Sequence, residues 1–276
     1  KGNLYEAKIE IIYGSDVIYS SKTKYGYRYF KFDSEKGFFL NGKSLKMRGV
    51  CLHHDLGCIG AESNSSAIER QIRIMKDMGC NAIRITHNPA SPEMLNICAR
   101  EGIMVIEEAF DVWERLKKQY DFAKDFNNYA ESSIKYMVKR GVNNPALIMW
   151  SIGNEIGGAT VSTATKLVNW VKEIDTTRAV TMGMNDVTTE EFRNIIDVLD
   201  VVGGNYKDSN LYNYLRSLKP GVKIFSSETT SAFSSRGVYA RDNDNNQCSS
   251  FDDDRADWGA YASTALKDNM NTAFIG

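Results

Sequence analysis

No run of apolar residues in this 276-residue chain approaches the roughly 18 that a membrane-spanning helix needs. The opening residues, KGNLYEAKIE, lack the basic start and apolar stretch of a signal peptide. Neither sign of charge prevails. The formal net charge is -1, which argues against a dominant nucleic-acid or acidic-membrane surface and leaves local patches open. The five cysteines are odd in number and include no CxxC pair, so neither a disulfide framework nor a zinc knuckle is supported. Cys80 and Cys98 sit in apolar surroundings and read as small core residues. No GxGxxG follows a strand-like run, which argues against a dinucleotide fold. Repeats of solenoid period and low-complexity tracts are missing too, and cysteine usage leaves the compartment open.

What is present is enough apolar residue, 42%, to bury a full core. Residues 4–30 mix aromatic and β-branched residues with polar ones in alternation and predict strands, with a turn at Gly14-Ser15-Asp16. They look like the tail of an all-β unit that begins upstream. Asn41-Gly42 then signals a hairpin. From there the pattern alternates. Strands are expected at 44–52, 81–86, 103–108, 146–152, 179–183, 197–206 and 223–228. Helices are expected at 67–79, 91–102, about 127–141, 161–174, 190–196, 210–218 and 256–269, with TAFIG (272–276) opening an eighth strand. For the second helix, Ser91 serves as N-cap, Pro92 as first residue and Gly102 as stop. Alternating β and α units predict an α/β fold with a parallel sheet, and units of this size fit a (β/α)8 barrel better than a doubly wound sheet.

Chemistry in such a barrel gathers at the carboxyl ends of the strands. Those ends carry His53, His54 and Asp55; Arg84, His87 and Asn88; Glu107, Glu108, Asp111 and Trp113; Asn154 and Glu155; Asn205 and Tyr206; and Glu228. All three histidines of the chain fall in this set. Glu155 and Glu228 each tip an otherwise apolar strand, and the fourth and seventh strands face each other across a barrel mouth. Two facing carboxyls suit glycoside hydrolysis, one protonating the leaving oxygen and the other attacking the sugar carbon or activating water. Neighbours on a strand point to opposite faces, so of His53 and His54 the first is expected in the site and the second in packing. Glu107 and Glu108 read as interior or loop polar contacts. His53 and His87 as metal ligands lack a third partner and any ligand-spacing motif, so no metal site is expected.

GFFLNGKSLKMRGVCLHHDLG, NAIRITHNP, EEAFDVW, NPALIMWSIGNE and SSETTSAFSSRG, in this order, resemble glycoside hydrolase family two, with bacterial β-galactosidases the nearest likeness. The resemblance implies a TIM-barrel catalytic domain over 31–276, incomplete at strand eight. It also implies that residues 1–30 are the last strands of an immunoglobulin-like β-sandwich, within a longer enzyme bearing upstream and downstream domains. It implies a retaining exo-β-glycosidase, with carboxyls roughly 5–5.5 Å apart. Glu155 maps to the acid/base and Glu228 to the nucleophile. Asn154 matches the asparagine at the sugar 2-hydroxyl, Tyr206 the tyrosine bonded to the nucleophile, and His53 and His87 the histidines lining the sugar pocket. Arg84 matches the arginine holding the nucleophile, with Asn205 supporting. Asp111 and Trp113 fit the third-strand motif and are expected as substrate contacts; apart from the resemblance, an aromatic such as Trp113 suits stacking on a sugar ring. No cofactor is implied; Mg or Na ions bound by some members find no matching ligands. The expected partner is a β-galactoside. β-Glucuronidase, β-mannosidase and a silent sugar-binding barrel are the alternatives.

Overall fold

The structure is a computed structural model that describes residues 2–206 and 209–229, together with 239, 240, 242 and 244. The chain opens with β1 (Tyr5–Tyr13) and β2 (Asp16–Tyr25), an antiparallel hairpin bulged at Ile11/Ile12. Ile9, Ile12, Val17 and Ile18 on it are all more than half exposed. Arg28 then anchors the chain, donating to the carbonyls of Pro145 and Leu147 at 2.7 Å each.

A three-stranded antiparallel sheet follows: β3 (Phe30–Asp33), β4 (Gly37–Leu40) and β5 (Lys43–Ser44). Asn41 and Gly42 turn β4 into β5 with φ of 50° and 78°, the paired left-handed geometry that an Asn-Gly hairpin supplies. Phe30, Phe32 and Phe38 pack against one another in edge-on and tilted contacts, and Phe38 packs with Met104, Ile106, Met149 and Phe225 inside the large sheet. This small sheet therefore plugs the end where the barrel strands begin, a role that the sequence pattern did not announce.

The large sheet is parallel throughout, and its strands lie side by side in chain order. They are β6 (Gly49–Leu52), β7 (Ala82–Ile85), β8 (Met104–Glu108), β9 (Leu147–Asn154), β10 (Ala179–Met184), β11 (Val202–Asn205) and β12 (Ile224–Glu228). The connecting helices are α1 (Ser65–Asp77), α2 (Pro92–Glu101), α3 (Phe126–Gly141), α4 (Val161–Lys172), α5 (Glu190–Ile195) and α6 (Ser209–Leu218). This is a TIM-barrel sheet, with the expected strands one to seven in place. The candidate eighth strand and the helix before it lie outside the described residues.

Caps appear where local chemistry dictates. Ser91 accepts from the Met94 N–H at 3.2 Å, Pro92 opens α2, and Gly102 closes it with φ 77°. Two strands are shorter than the sequence suggests. Residues 45–48 stay out of β6 because the Asn81 side chain takes the Arg48 N–H and the Lys46 carbonyl. Residues 197–201 stay out of β11 because α5 continues into further turns, with Asp197 and Val198 donating three residues back.

Strand residues alternate between two apolar layers. Ile83, Val105, Trp150, Val180 and Val202 face the helices, whereas Ile106, Met149 and Phe225 face the barrel interior. The base of β9 is tied by a buried polar knot. Asp175 accepts from Trp150 Nε1 at 2.8 Å and from Arg178 Nη1 at 2.7 Å, and Arg178 Nε donates to the Leu147 carbonyl at 2.9 Å. Burial pushes the Asp175 carboxyl up, but Thr177, Trp150 and Arg178 outweigh it and bring it down to about 2 from 3.8. A depressed carboxylate stabilises the fold above its unfolded value and loses that contribution as pH falls through its folded value. Asp175→Asn is expected to cost about 2 kcal/mol at neutral pH. In urea denaturation the gap to wild type should close as pH falls from about 4 toward 2.

Candidate active site

The polar residues of the barrel converge where the strands end. Arg84, on β7, is 4% exposed and points into the interior, where a lone cation would be costly. It is fully engaged. Nη1 donates to Glu228 Oε1 at 2.7 Å, Nη2 to Glu108 Oε2 at 2.7 Å and to Asn154 Oδ1 at 3.0 Å, and Nε to Glu108 Oε2 at 3.2 Å. Burial works against its charge, yet Glu108, Cys51 and Glu228 raise its pKa above the ordinary arginine value.

Glu108 ends β8 with no exposed surface. Besides Arg84, it accepts from Ser151 Oγ at 2.6 Å, and its Oε1 lies 2.6 Å from His87 Nδ1. Burial pushes this carboxyl up, but Arg84, His87 and Ser151 prevail and hold it below the usual carboxylate value. Glu107, one residue earlier, faces the other way and pairs with Arg140 of α3 and the Ala90 N–H. There burial wins over Arg140, and the carboxyl is pushed up to about 7.

Glu155 follows β9 with φ 46°, a left-handed backbone uncommon for a residue with a side chain. Its N–H donates to the Gly183 carbonyl at 2.8 Å, and Oε1 accepts from Asn205 Nδ2 at 3.0 Å. The same Asn205 amide reaches Asn154 Oδ1 at 3.0 Å, and Asn205 Oδ1 accepts from Ser227 Oγ at 2.5 Å. Glu155 and Glu228 are thus joined through Asn205, Asn154 and Arg84 in one hydrogen-bonded chain. The Glu228 side chain is 13% exposed, and its backbone carbonyl accepts from the Tyr206 N–H at 2.7 Å. Tyr206 has φ 55° and is 38% exposed.

His87 Nε2 lies 3.3 Å from Asn154 Nδ2 and 3.8 Å from Glu228 Oε1. His53 is exposed and meets the His87 ring edge-on at 5.2 Å between centroids. His54 is exposed as well; burial of part of its ring and the nearby His53 lower its pKa. Asp111 Oδ1 accepts from Lys117 Nζ at 2.8 Å and from Asn154 Nδ2 at 3.3 Å, and Lys117 also donates to the Asn154 carbonyl at 2.8 Å. Cys51 donates to the Ser227 carbonyl at 3.4 Å, and burial pushes its thiol up to about 11, so it stays protonated near neutral pH. Trp113 corrects an expectation. It is fully buried and donates Nε1–H to the Ile152 carbonyl at 2.9 Å, so it braces β9 from behind and offers no ring face to a sugar.

Ser151, Ser227 and Lys117 are site residues that motif reading passed over, and Glu108 is one that it left as an interior or loop polar contact. For Glu108 the missed signal is alternation: Ile106 faces inward, so Glu108 does and Glu107 does not. Among the described residues, no group of three or more His, Cys, Asp or Glu side chains is placed to hold a metal ion. Asp111, a carboxylate at the mouth, is instead occupied by Lys117 and Asn154.

Residues 33–226 match the family model described as glycosyl hydrolases family 2, TIM barrel domain. The chain belongs to glycoside hydrolase family 2. It is 33% identical to β-galactosidase BoGH2A of Bacteroides ovatus over 99% of this chain and 38% of that protein. It is also 33% identical to a putative β-glucuronidase of Formosa agariphila, over 86% of this chain and 22% of the relative. A crystal structure of a family 2 member from Bacteroides cellulosilyticus superposes with a TM-score of 0.79 at 39% identity, covering 83% of this chain and 30% of that one. The family 2 barrel described here therefore spans well under half the length of these relatives.

Gly183 of β10 shows how tightly this family 2 site is packed. A Cβ there would sit 2.8 Å from Arg84 Nη2, 3.1 Å from Asn205 Oδ1 and 3.2 Å from Asn154 Oδ1. Gly183→Ala is expected to lower stability by about 1–3 kcal/mol through overpacking. The urea midpoint reads this loss; an unchanged midpoint would mean that the network has slack.

Proposed function

We propose that this chain carries the catalytic barrel of a retaining exo-β-galactosidase. The observation that carries the reading is the hydrogen-bonded chain from Glu155 through Asn205, Asn154 and Arg84 to Glu228, which sets two carboxyls in one frame at the barrel mouth. In the first step Glu228 Oε2 attacks the anomeric carbon while Arg84 keeps Oε1 in place. The bond from that carbon to the glycosidic oxygen breaks, and Glu155 passes its proton to the departing oxygen. In the second step Glu155, now a carboxylate, takes a proton from water. The water oxygen bonds to the anomeric carbon, and the ester to Glu228 breaks. Two inversions at one carbon leave the configuration retained.

The remaining residues have supporting parts in this reading. Asn154 Nδ2, held among the described residues by 3.3 Å contacts to His87 and Asp111, can turn its donor to the sugar 2-hydroxyl. His87 and His53 form the wall beside it, and Tyr206 projects at the tip of β11 next to Glu228. The naming of the relatives supports the substrate choice: the Bacteroides ovatus protein that aligns with nearly all of this chain is a β-galactosidase. Other domains, upstream and downstream, would complete the sugar pocket.

A panel of nitrophenyl β-glycosides tests the reading, with β-galactoside expected to be the best substrate. Preference for the β-glucuronide would move the assignment to the sugar acid. Glu228→Gln should lower kcat/KM by on the order of 10⁴-fold or more. Glu155→Gln should keep activity only on substrates with good leaving groups, and azide should restore turnover by yielding a β-galactosyl azide. Wild-type activity in Glu228→Gln would end this assignment.

A further inference from the structure

We propose that Glu108 is a positioning residue of this site, which holds Arg84 against Glu228 and fixes His87 in the tautomer protonated at Nδ1. The proposal rests on the reading of Glu228 as nucleophile. It follows from how the four donors around Glu108 are divided. Oε2 takes Arg84 Nε and Nη2 and the Ser151 hydroxyl; Oε1 faces His87 Nδ1 at 2.6 Å. A fully buried carboxylate meeting a ring nitrogen at that distance requires the proton between them, so Nδ1 is the donor. In neutral His87, Nε2 then carries a lone pair. That lone pair accepts from Asn154 Nδ2 at 3.3 Å and puts no proton toward Glu228 Oε1, 3.8 Å away.

Arg84 is shared in the same way. Its Nε–Nη2 edge is committed to Glu108, which leaves Nη1 aimed at Glu228 and divides one positive charge between two carboxylates. Among the described residues, Glu228 is faced by Arg84 and His87 from the end of β7 and by Cys51 from β6. Tyr206, the residue after β11, meets it through its backbone N–H, and Glu108 acts on it through Arg84. Cys51 and Ser151 also lie beside Glu108.

Glu108→Gln separates this role from packing. The amide oxygen can replace Oε2 and keep Arg84 and Ser151 in place. The reverse orientation would set an NH2 against three donors. The amide nitrogen then faces His87 Nδ1, which can meet it only with a lone pair, so His87 must move its proton to Nε2, on the Glu228 side. Loss of the shared anion and gain of that donor both favour ionised Glu228. The acid limb of kcat/KM should therefore move to lower pH by about half a unit or more. Turnover should fall by about tenfold to a hundredfold.

The test begins on wild type. 15N spectra of labelled histidine should show His87 protonated at Nδ1 and bare at Nε2, and the opposite tautomer would overturn the proposal whether or not any variant folds. Labelling of Glu228 by a 2-deoxy-2-fluoro-β-galactosyl fluoride checks the underlying reading separately. No labelling and no turnover on any β-glycoside would sink that reading and this proposal with it. With wild type labelled, a folded Glu108→Gln protein should show the flipped His87 tautomer and the lowered acid limb. Reduced activity with an unmoved or raised limb, or wild-type activity, would overturn the role of Glu108 alone.

Discussion

A guanidinium inside a barrel must be matched by anions and acceptors from whatever strands surround it, because burying a charge alone costs several kcal/mol. Arg84 meets this demand with Glu108 of β8, Asn154 of β9 and Glu228 of β12, so one side chain on β7 ties three other strands together at the mouth. The remaining contacts depend on it in sequence. Asn154 is oriented by Arg84, Asn205 by Asn154, and Glu155 by Asn205. Loss of any one partner would leave a donor or acceptor without its mate further along, the arrangement that couples such groups to one another.

The two ends of the barrel differ in kind. Where the strands begin, Phe38 and its aromatic neighbours seal the interior with apolar surface. Where they end, charged and amide groups are concentrated above that apolar floor. Fixed dipoles in such surroundings act on a reacting bond more strongly than the same groups in water. The Asp175–Arg178 knot adds rigidity beneath, because it holds the start of the strand that ends in Asn154.

Much of this was legible in the chain because the signals are local. Ser91, Pro92 and Gly102 bound a helix by their own backbone chemistry. The run before Glu155 reads as a buried strand with an acid beyond it, and the run before Glu228 does likewise. Local signals fail where a distant residue decides. Asn81 takes the backbone groups of residues 46 and 48 and shortens a strand that looked longer. Lys117 has no motif because one of its partners is a backbone carbonyl, that of Asn154. Glu107 and Glu108 are identical neighbours, and only knowing which side of β8 faces the interior gives one to the site and the other to α3. Trp113 was misplaced for the same reason: an aromatic near a sugar site invites a stacking role, and its burial behind β9 is a fact of packing.

Gly183 extends the reach of the site to a residue with no functional group. To the site it contributes its carbonyl, which accepts from the Glu155 N–H, and the space in which Arg84, Asn154 and Asn205 meet. Selection for the chemistry must therefore preserve an absence as well as a set of side chains. A side chain at this position would press on Arg84, Asn205 and Asn154 without altering any of their polar groups, and a scan for reactive groups would pass over the cause.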